Sequence, residues 1–563
     1  MSIQKNENPL LHFKVEIIAQ PMTTAEGTTF EKTVLVNLFN DSGKKIEVLE
    51  YAWMDKNEIF RLIENEQDIN LNNCYVKDFS LSEYRNSKGL SERSVIKLQS
   101  FSARRTFFDC DTEIDFSYSE FDGNKTSFES SIFGNGLVNF TGANFGHGDV
   151  NFKKTKFGDG KIDFQYVQFG TGNISFQFSN FGNGDKSFVN ADFSDGNVDF
   201  KTVTFGDGNV DFKFAKFGNG DISFEKASFG DGKKDFKTVE FGGGKVDFRR
   251  VSFGSGDVTF EETEFGNGKV SFKSAVFENG DISFYMADFG EGEASFEQVE
   301  FGTGKVSFNN AKTTEISFKS CQFNNYLDLR FTKCNSIDLS DTIVRDIIDL
   351  RPQDFPVDIK EMNMTGMKNL GRIYIEWKAN NVHDLIYNQK TSSLSEKADQ
   401  FRILKQGFNT TGQYNDEDKA YIEFKRCEQK AEIEDALKEN KSNAVWAYPA
   451  YFFKYLVFDK MGLYATEPTR VLASMLVVYL IFSLSFFGII MTGLGDIHTG
   501  VPNPEPMTKF TTSMYLSAVT FFTIGYGDYF PYGLLRWCAC TEGFCGVFMM
   551  SYFTVAFVRK ILR

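Results

Sequence analysis

Histidine is almost missing from this chain. His12, His147, His383 and His498 are the only four in 563 residues, and their separation offers no general-base cluster. Cysteine is sparse as well. Cys74, Cys110, Cys321, Cys334 and Cys427 are scattered, and Cys538, Cys540 and Cys545 crowd into one apolar run. None stands at a metal-ligand spacing with a histidine, so reduced thiols in a cytoplasmic setting are the simple reading. Basic residues are outnumbered 61 to 76, and the net charge of −15 disfavours nucleic-acid binding by phosphate neutralisation. Met1 to Asn8 lead into no long apolar run, so no secretory signal is read. No enzyme, catalytic residue or cofactor is expected from such a composition.

What the chain has in excess is phenylalanine and glycine, 64 and 48 residues, and both are periodic. One phenylalanine series runs from Phe121 by twelves to Phe301, and the other from Phe116 by twelves to Phe308, with no position missed. The unit reads Phe-Gly-x-Gly-x-Val/Ile-x-Phe-x-x-x-x. A period of 12 is too short for helical-hairpin repeats and favours a stacked β-solenoid. Nearly every phenylalanine has a small or β-branched residue two places before it, as in Val198/Phe200 and Ala215/Phe217. Residues i and i+2 share a face in extended chain, so each pair points inward, and faces alternate at steps of five and seven residues. The five-residue faces resemble the pentapeptide-repeat family. That resemblance implies a right-handed quadrilateral β-helix of 24 residues per coil, about 10 coils and roughly 45–50 Å long at ~4.8 Å per stacked strand. A flat two-sided coil of 12 residues is the rival. The Gly-x-Gly corners are expected to use glycine for positive φ. Lys186 and Lys234 replace the inward Val/Ile, so local distortion or snorkelling is expected there. The residue after the second glycine varies (Asp149, Lys161, Asn173, Asp185, Asn197), which argues against a regular calcium ladder.

Residues 1–68 hold strand-like runs (Phe13–Ile18, Thr33–Phe39, Ile46–Trp53), a turn at Asn40–Gly43 and a short helix at Glu58–Glu64. They form a small β-rich domain or a cap on a solenoid spanning 69–373. Residues 374–442 read as a helical connector. Ala398, Phe401, Leu404 and Phe408 make one stripe that Gly412 ends, and Asn415 caps a second helix with Ala420, Phe424, Cys427 and Ala431. The hairpin resembles a single tetratricopeptide-type unit, with a plain connector as the simpler alternative. Residues 443–468, rich in aromatics from Trp446 to Tyr455, read as an interfacial helix or an anchoring belt.

Residues 469–563 differ again. Val471 to Leu494 is 24 residues without a charge, long enough at about 1.5 Å per residue for roughly 30 Å of hydrocarbon. A second run spans 534–560, closed by Arg559, Lys560 and Arg563. Cations before the first span and after the second place both termini in the cytoplasm. Between the spans, Pro502, Pro504 and Pro506 rule out a helix and suggest an extracellular turret. Residues 508–522 fit a short helix with Thr508 as N-cap. Then comes Thr523-Ile524-Gly525-Tyr526-Gly527-Asp528, poor for a strand because glycine leaves nothing to pack.

This motif and its flanks resemble the two-transmembrane-helix potassium channels over about the last hundred residues. The resemblance implies an all-α pore domain, a homotetramer and a filter over 523–528. Backbone carbonyls of Thr523, Ile524, Gly525 and Tyr526, with the Thr523 hydroxyl, would coordinate the permeant K⁺. Gly525 and Gly527 would permit the backbone geometry, Tyr526 would pack outward on the pore helix, and Asp528 would draw cations to the outer mouth. Gly546 is a bending hinge or a packing glycine. The apolar inner end of the second helix, Tyr552, Val555 and Val558, is the expected gate. Glu542 is an intramembrane charge without a nameable partner. Phe522, where the family often has Thr or Ser, touches support behind the filter. No voltage sensor is evident, and with Val558 five residues from Arg563 any sensing is expected from the N-terminal side. The reading is a multi-pass protein of a prokaryotic plasma membrane whose partners are the bilayer, its own copies and a further cytoplasmic partner or ligand of the solenoid. A membrane-anchored scaffold with a vestigial or non-selective cation pore is the alternative.

Overall fold

A computed structural model of the chain describes residues 12–562 apart from 25, 41 and 503–505. The chain divides into two units, residues 1–390 and 391–563. The first eight residues, the tip of the proline-rich segment at 503–505 and Arg563 lie outside the described residues.

The first unit is a parallel β-solenoid of about 13 coils. Its register decides the coil length. Val138 pairs with Ile162, Ile162 with Lys186, Lys186 with Val210 and Val210 with Lys234, each step advancing 24 residues. The flat 12-residue coil is therefore excluded, because residues 12 apart lie on different faces. Four phenylalanine columns run up the four-sided interior. Phe176, Phe200 and Phe224 stack at 4.9 and 4.7 Å in one column, and Phe188 and Phe212 at 4.6 Å in another. Every member of both phenylalanine series is buried. The coil count exceeds the roughly 10 expected from the strict repeat because irregular coils continue at both ends, up to Arg372–Tyr374 on one face. At ~4.8 Å per coil the stack is about 60 Å long.

Two kinds of corner close each coil. The tight corner is a four-residue turn: Ala215 N–H donates to the Phe212 carbonyl at 3.0 Å, and Phe214, third in the turn, has φ of 58°. A positive φ there defines a type II turn, for which glycine is the usual choice. This chain puts Thr202, Phe214, Lys226, Thr238 and Arg250 in those places instead, at φ between 55° and 59°. The wide corner carries Gly-x-Gly. Gly206 is left-handed at φ 67°, as expected, and a Cβ there would also strike the backbone of Gly182 one coil below. Gly208 is not left-handed; a Cβ there would strike the backbone of Gly184 one coil below. Space, rather than positive φ, makes the second glycine necessary. The polar residues beside these glycines tie successive coils together. Asn197 Oδ1 accepts from Asp221 N, and Asp221 Oδ1 from Lys245 N, both at 2.9 Å.

Lys186 and Lys234 correct the expected distortion. Both occupy their strands in unbroken register and both are 1 % exposed. Lys186 reaches back along the wide corner and donates from Nζ to the Gly182 carbonyl at 2.8 Å. Lys234 Nζ is buried without a hydrogen-bond partner among the described residues. Burial pulls both amines down to about 8, opposed by the acidic corner residues around them.

At the N-terminal end, antiparallel strands His12–Ile18, Thr33–Phe39 and Lys45–Met54 continue one face of the solenoid. Helices α1 (Lys56–Glu64) and α2 (Leu81–Ser87) follow, and α3 (Val382–Tyr387) lies near the end of this unit.

The second unit is helical. Helix α4 (Leu394–Thr410) starts on a capping box in which Glu396 N donates to Ser393 Oγ at 3.3 Å and Ser393 N to Glu396 Oε2 at 2.7 Å. Ala398, Phe401, Leu404 and Phe408 are buried against α5 (Tyr414–Glu439), and Gly412 turns the chain at φ 74°. Asn415 is not the cap of α5: the helix already starts at Tyr414, and Gln413 precedes it without a side-chain cap bond. Helix α6 (Ala444–Lys454) buries no residue, and Val445, Trp446, Tyr448, Phe452 and Phe453 are all exposed. It continues through a π-helical turn, Tyr455–Lys460. Helices α7 (Pro468–Thr492) and α9 (Leu535–Ile561) are long and apolar enough to cross a membrane. Between them come a strand, Gly495–Thr499, the short helix α8 (Lys509–Phe521) and the strand Tyr529–Gly533, which pairs antiparallel with the first.

Candidate functional site

Helix α8 aims the glycine motif. Thr508 Oγ1 accepts from Thr511 N at 3.2 Å and fixes its start. Leu516 packs with Phe486 and Ile490 of α7 and with Leu535 and Ala539 of α9, while Phe521 packs with Val471, Met475 and Met549. The helix is thus wedged between the two long ones. At its C-terminus Thr523 N donates to Thr520 O at 3.1 Å and Ile524 N to Val519 O at 2.9 Å, so the motif leaves the last turn of α8 directly.

Left-handed backbone then recurs at every second residue: φ is 55° at Thr523, 63° at Gly525 and 76° at Gly527. A chain that alternates in this way turns successive peptide groups toward a common side. Gly525 and Gly527 take these angles without steric cost, whereas Thr523 holds a conformation rare for a β-branched residue. No atom lies within 4 Å of a Cβ built on Gly525 or Gly527, so backbone conformation alone calls for glycine there. Tyr526 is 71 % exposed and Ile524 is 49 % exposed. The Tyr526 ring, expected to pack outward on the pore helix, is thus mostly open in the single chain. Asp528 is anchored instead of free: Tyr515 of α8 donates its hydroxyl to Oδ2 at 2.7 Å, and Tyr529 N donates to Oδ1 at 3.0 Å.

Residues 474–563 match the family model of an ion channel. The matched region is a domain similar to ion channels. No curated protein and no solved structure matches the chain. With its two apolar helices, the domain makes this a membrane protein.

The remaining sequence-derived positions of the channel domain lie along α9. Glu542, Gly543 and Gly546 run beside Ser517, Thr520 and Phe521 of α8. A Cβ on Gly546 would strike the Phe521 backbone, and one on Gly543 would touch Thr520 at 3.8 Å. Close approach of the two helices is what Gly546 provides in this structure. Glu542 has a partner after all: the Ser517 hydroxyl. Phe522, the departure from the family pattern, is half exposed, while its neighbour Phe521 is fully buried.

At the far end of α9 the three expected gate residues separate. Val555 and Val558 are exposed in the single chain. Tyr552 turns away from them: its hydroxyl accepts from Ala465 N at 3.0 Å and donates to Phe458 O at 3.3 Å, over Gly462. The last turn of α9 is also held by α5. Arg559 donates to Asp418 Oδ1 at 3.1 Å and Lys560 to Oδ2 at 3.3 Å. The Arg559 guanidinium lies 4.4 Å over the Tyr421 ring. Two turns along α5, Arg426 clasps Asp459 at 3.0 and 2.7 Å and Glu423 at 2.8 Å, and those bonds push its guanidinium upward from its ordinary range. Asp418, Tyr421, Arg426 and Asp459 carried no motif signal. Their partners lie far away in sequence, so only the fold brings them together.

Proposed function

We propose that the chain is a potassium-selective channel whose filter is residues 523–528. The observation that carries this reading is the alternating left-handed backbone at Thr523, Gly525 and Gly527, held at the C-terminal end of α8. The carbonyls of Thr523, Ile524, Gly525 and Tyr526 would replace the water around K⁺, and the negative end of the α8 dipole points at the same ions. One such strand cannot surround an ion. Four copies about an axis can, and the neighbouring copies would cover Ile524 and Tyr526, whose exposure is otherwise unexplained. The exposed aromatics of α6 suit the headgroup region, where amphipathic rings settle. That arrangement puts α4, α5 and the solenoid on the cytoplasmic side with both termini.

The inner end of α9, with Val555 and Val558, serves as the gate, where an apolar constriction closes by dewetting. The contacts of Asp418 and Tyr421 with Arg559 give α5 a mechanical hold on that end; a regulatory or scaffold role for the solenoid is a further part of this reading. The test is K⁺ and Na⁺ flux through the purified full-length chain in liposomes. K⁺ flux far above Na⁺ flux is the expected result. Equal passage of both ions would replace the selective pore with a non-selective one. No passage of either would favour the membrane-anchored scaffold.

A further inference from the structure

Between the π-helical turn and α7 the backbone bends in a way found nowhere else among the described residues. Leu463, Tyr464 and Ala465 are left-handed in succession, at φ 45°, 56° and 61°. Every other left-handed non-glycine residue stands alone, as in the tight corners of the solenoid. L-residues visit this region singly, because Cβ crowds the following carbonyl oxygen, so three in a row add three such costs. The one glycine beside them, Gly462, is not left-handed. The bend carries a further cost. Tyr464 is 8 % exposed, and its hydroxyl is buried without a hydrogen-bond partner among the described residues.

What holds this bend comes largely from α9. Ala465 N donates to Tyr552 Oη at 3.0 Å, and Arg559 donates to the Tyr464 carbonyl at 3.4 Å. The Tyr552 ring lies so close over Gly462 that a Cβ there would strike it. Ala465 packs with Met549 and Ala556 of α9 and with Val471 of α7. Within the bend, Thr466 donates from N and Oγ1 to Leu463 O, at 3.2 and 2.7 Å. From α5, the Tyr421 ring meets the Tyr464 ring edge-on at 6.5 Å. Glu467 is extended, as proline at 468 requires of its predecessor, so a change in the bend does not run on into α7.

We infer that residues 463–465 are a strained joint, left-handed only while the inner end of α9 is docked on them, and that undocking releases them to right-handed backbone. Each residue released favours the undocked position by about 5–30-fold. The joint thus opposes the pairing of Asp418 with Arg559, which favours docking, and α9 is balanced between two positions instead of fixed in one. The inference rests on the channel reading for its effect on opening, but not for the strain itself.

The test compares Leu463→Gly with Leu463→Ala in the full-length chain in liposomes. Both lose the same side-chain contacts, so their difference isolates the backbone. In ordinary backbone glycine is the looser of the two; in left-handed backbone it favours the docked position. Protection of residues 461–468 against hydrogen exchange should therefore be about fivefold or more higher in Leu463→Gly. Equal or lower protection than in Leu463→Ala would overturn the joint, whether or not the protein conducts. Single-channel open probability is the second readout. Tyr464→Phe keeps the ring and removes the unpaired hydroxyl, which favours docking; Tyr552→Phe removes the acceptor of Ala465 N, which disfavours it. The two should shift open probability in opposite directions. Shifts in one direction, or none, would overturn the link between joint and gate. A wild type that passes no ion would sink the channel reading and leave the exchange result to decide this inference.

Discussion

Replacing Asp418 with asparagine should change how easily the inner end of α9 moves. Asp418 is 8 % exposed and accepts from two cations, Arg559 at 22 % and Lys560 at 42 % exposure. A charge-assisted hydrogen bond to a largely buried partner contributes about 1.5–3 kcal/mol, while a half-exposed lysine adds little beyond ~0.5 kcal/mol. Asparagine keeps the shape and one acceptor, so about 1–2 kcal/mol of the hold is lost per subunit. If the contact exists in only one of the two gate positions, the open-to-closed ratio shifts by about 5–30-fold. Asp418→Lys puts a third cation beside Arg559 and Lys560, and should move the ratio further in the same direction. The assay is single-channel open probability in planar bilayers. A double-mutant cycle with Arg559→Gln separates the ion pair from the stacking of Arg559 on Tyr421. It should return a coupling of about 1 kcal/mol or more. Additivity within ~0.5 kcal/mol, or an unchanged open probability in Asp418→Lys, would refute the idea that α5 works the gate through this contact.

Gly525→Ala or Gly527→Ala should abolish K⁺ flux while the solenoid's circular-dichroism melting stays unchanged, since a Cβ at φ 63° or 76° costs about 1–2 kcal/mol at the filter alone. Gly208→Ala should lower the solenoid Tm, by about 1–3 kcal/mol in stability, because its Cβ meets the Gly184 backbone. Lys234→Met should raise stability by about 1–3 kcal/mol in denaturant melts, as it removes a buried amine with no hydrogen-bond partner among the described residues; Lys186→Met, which also gives up a bond to Gly182, should gain less. The folded amines titrate near 8 and unfolded lysine near 10.5, so between those values the unfolded chain holds more protons and stability rises with pH. Below about pH 8 the penalty is full and constant, and the double variant Lys186→Met/Lys234→Met should flatten the rise.

Much of the fold was legible because its causes are local. A phenylalanine every twelve residues with a small partner two places earlier describes one face and one corner, and repetition does the rest. The step from a 12-residue unit to a 24-residue coil was already in the alternation of five- and seven-residue faces. What pattern could not give was the cost structure at exceptions. Lys186 looked like a break in the core because a charged head usually leaves the interior. It stays inside because the wide corner offers a carbonyl within reach of its flexible stem, and because acidic residues surround that corner. The corner glycines were read for conformation, yet Gly208 is required by the Gly184 backbone 24 residues earlier, a distance that a local reading does not weigh.

The channel domain divides in the same way. The motif at 523–528, its helix and the two spans follow from short-range composition. The contacts that support and move them do not. Asp418 and Arg559 are 141 residues apart, and Asp418 sits in a helix so rich in charge that no single carboxylate stands out. Ser517 is an unremarked serine until α9 brings Glu542 to it. Both cases have one physical origin. A filter needs a backbone conformation, which glycine spacing announces, but a stable filter and a movable gate need polar groups brought together from separate helices. Such pairs have no period, so mutation cycles at Asp418 and Arg559 probe what the repeat and the glycine motif leave unread.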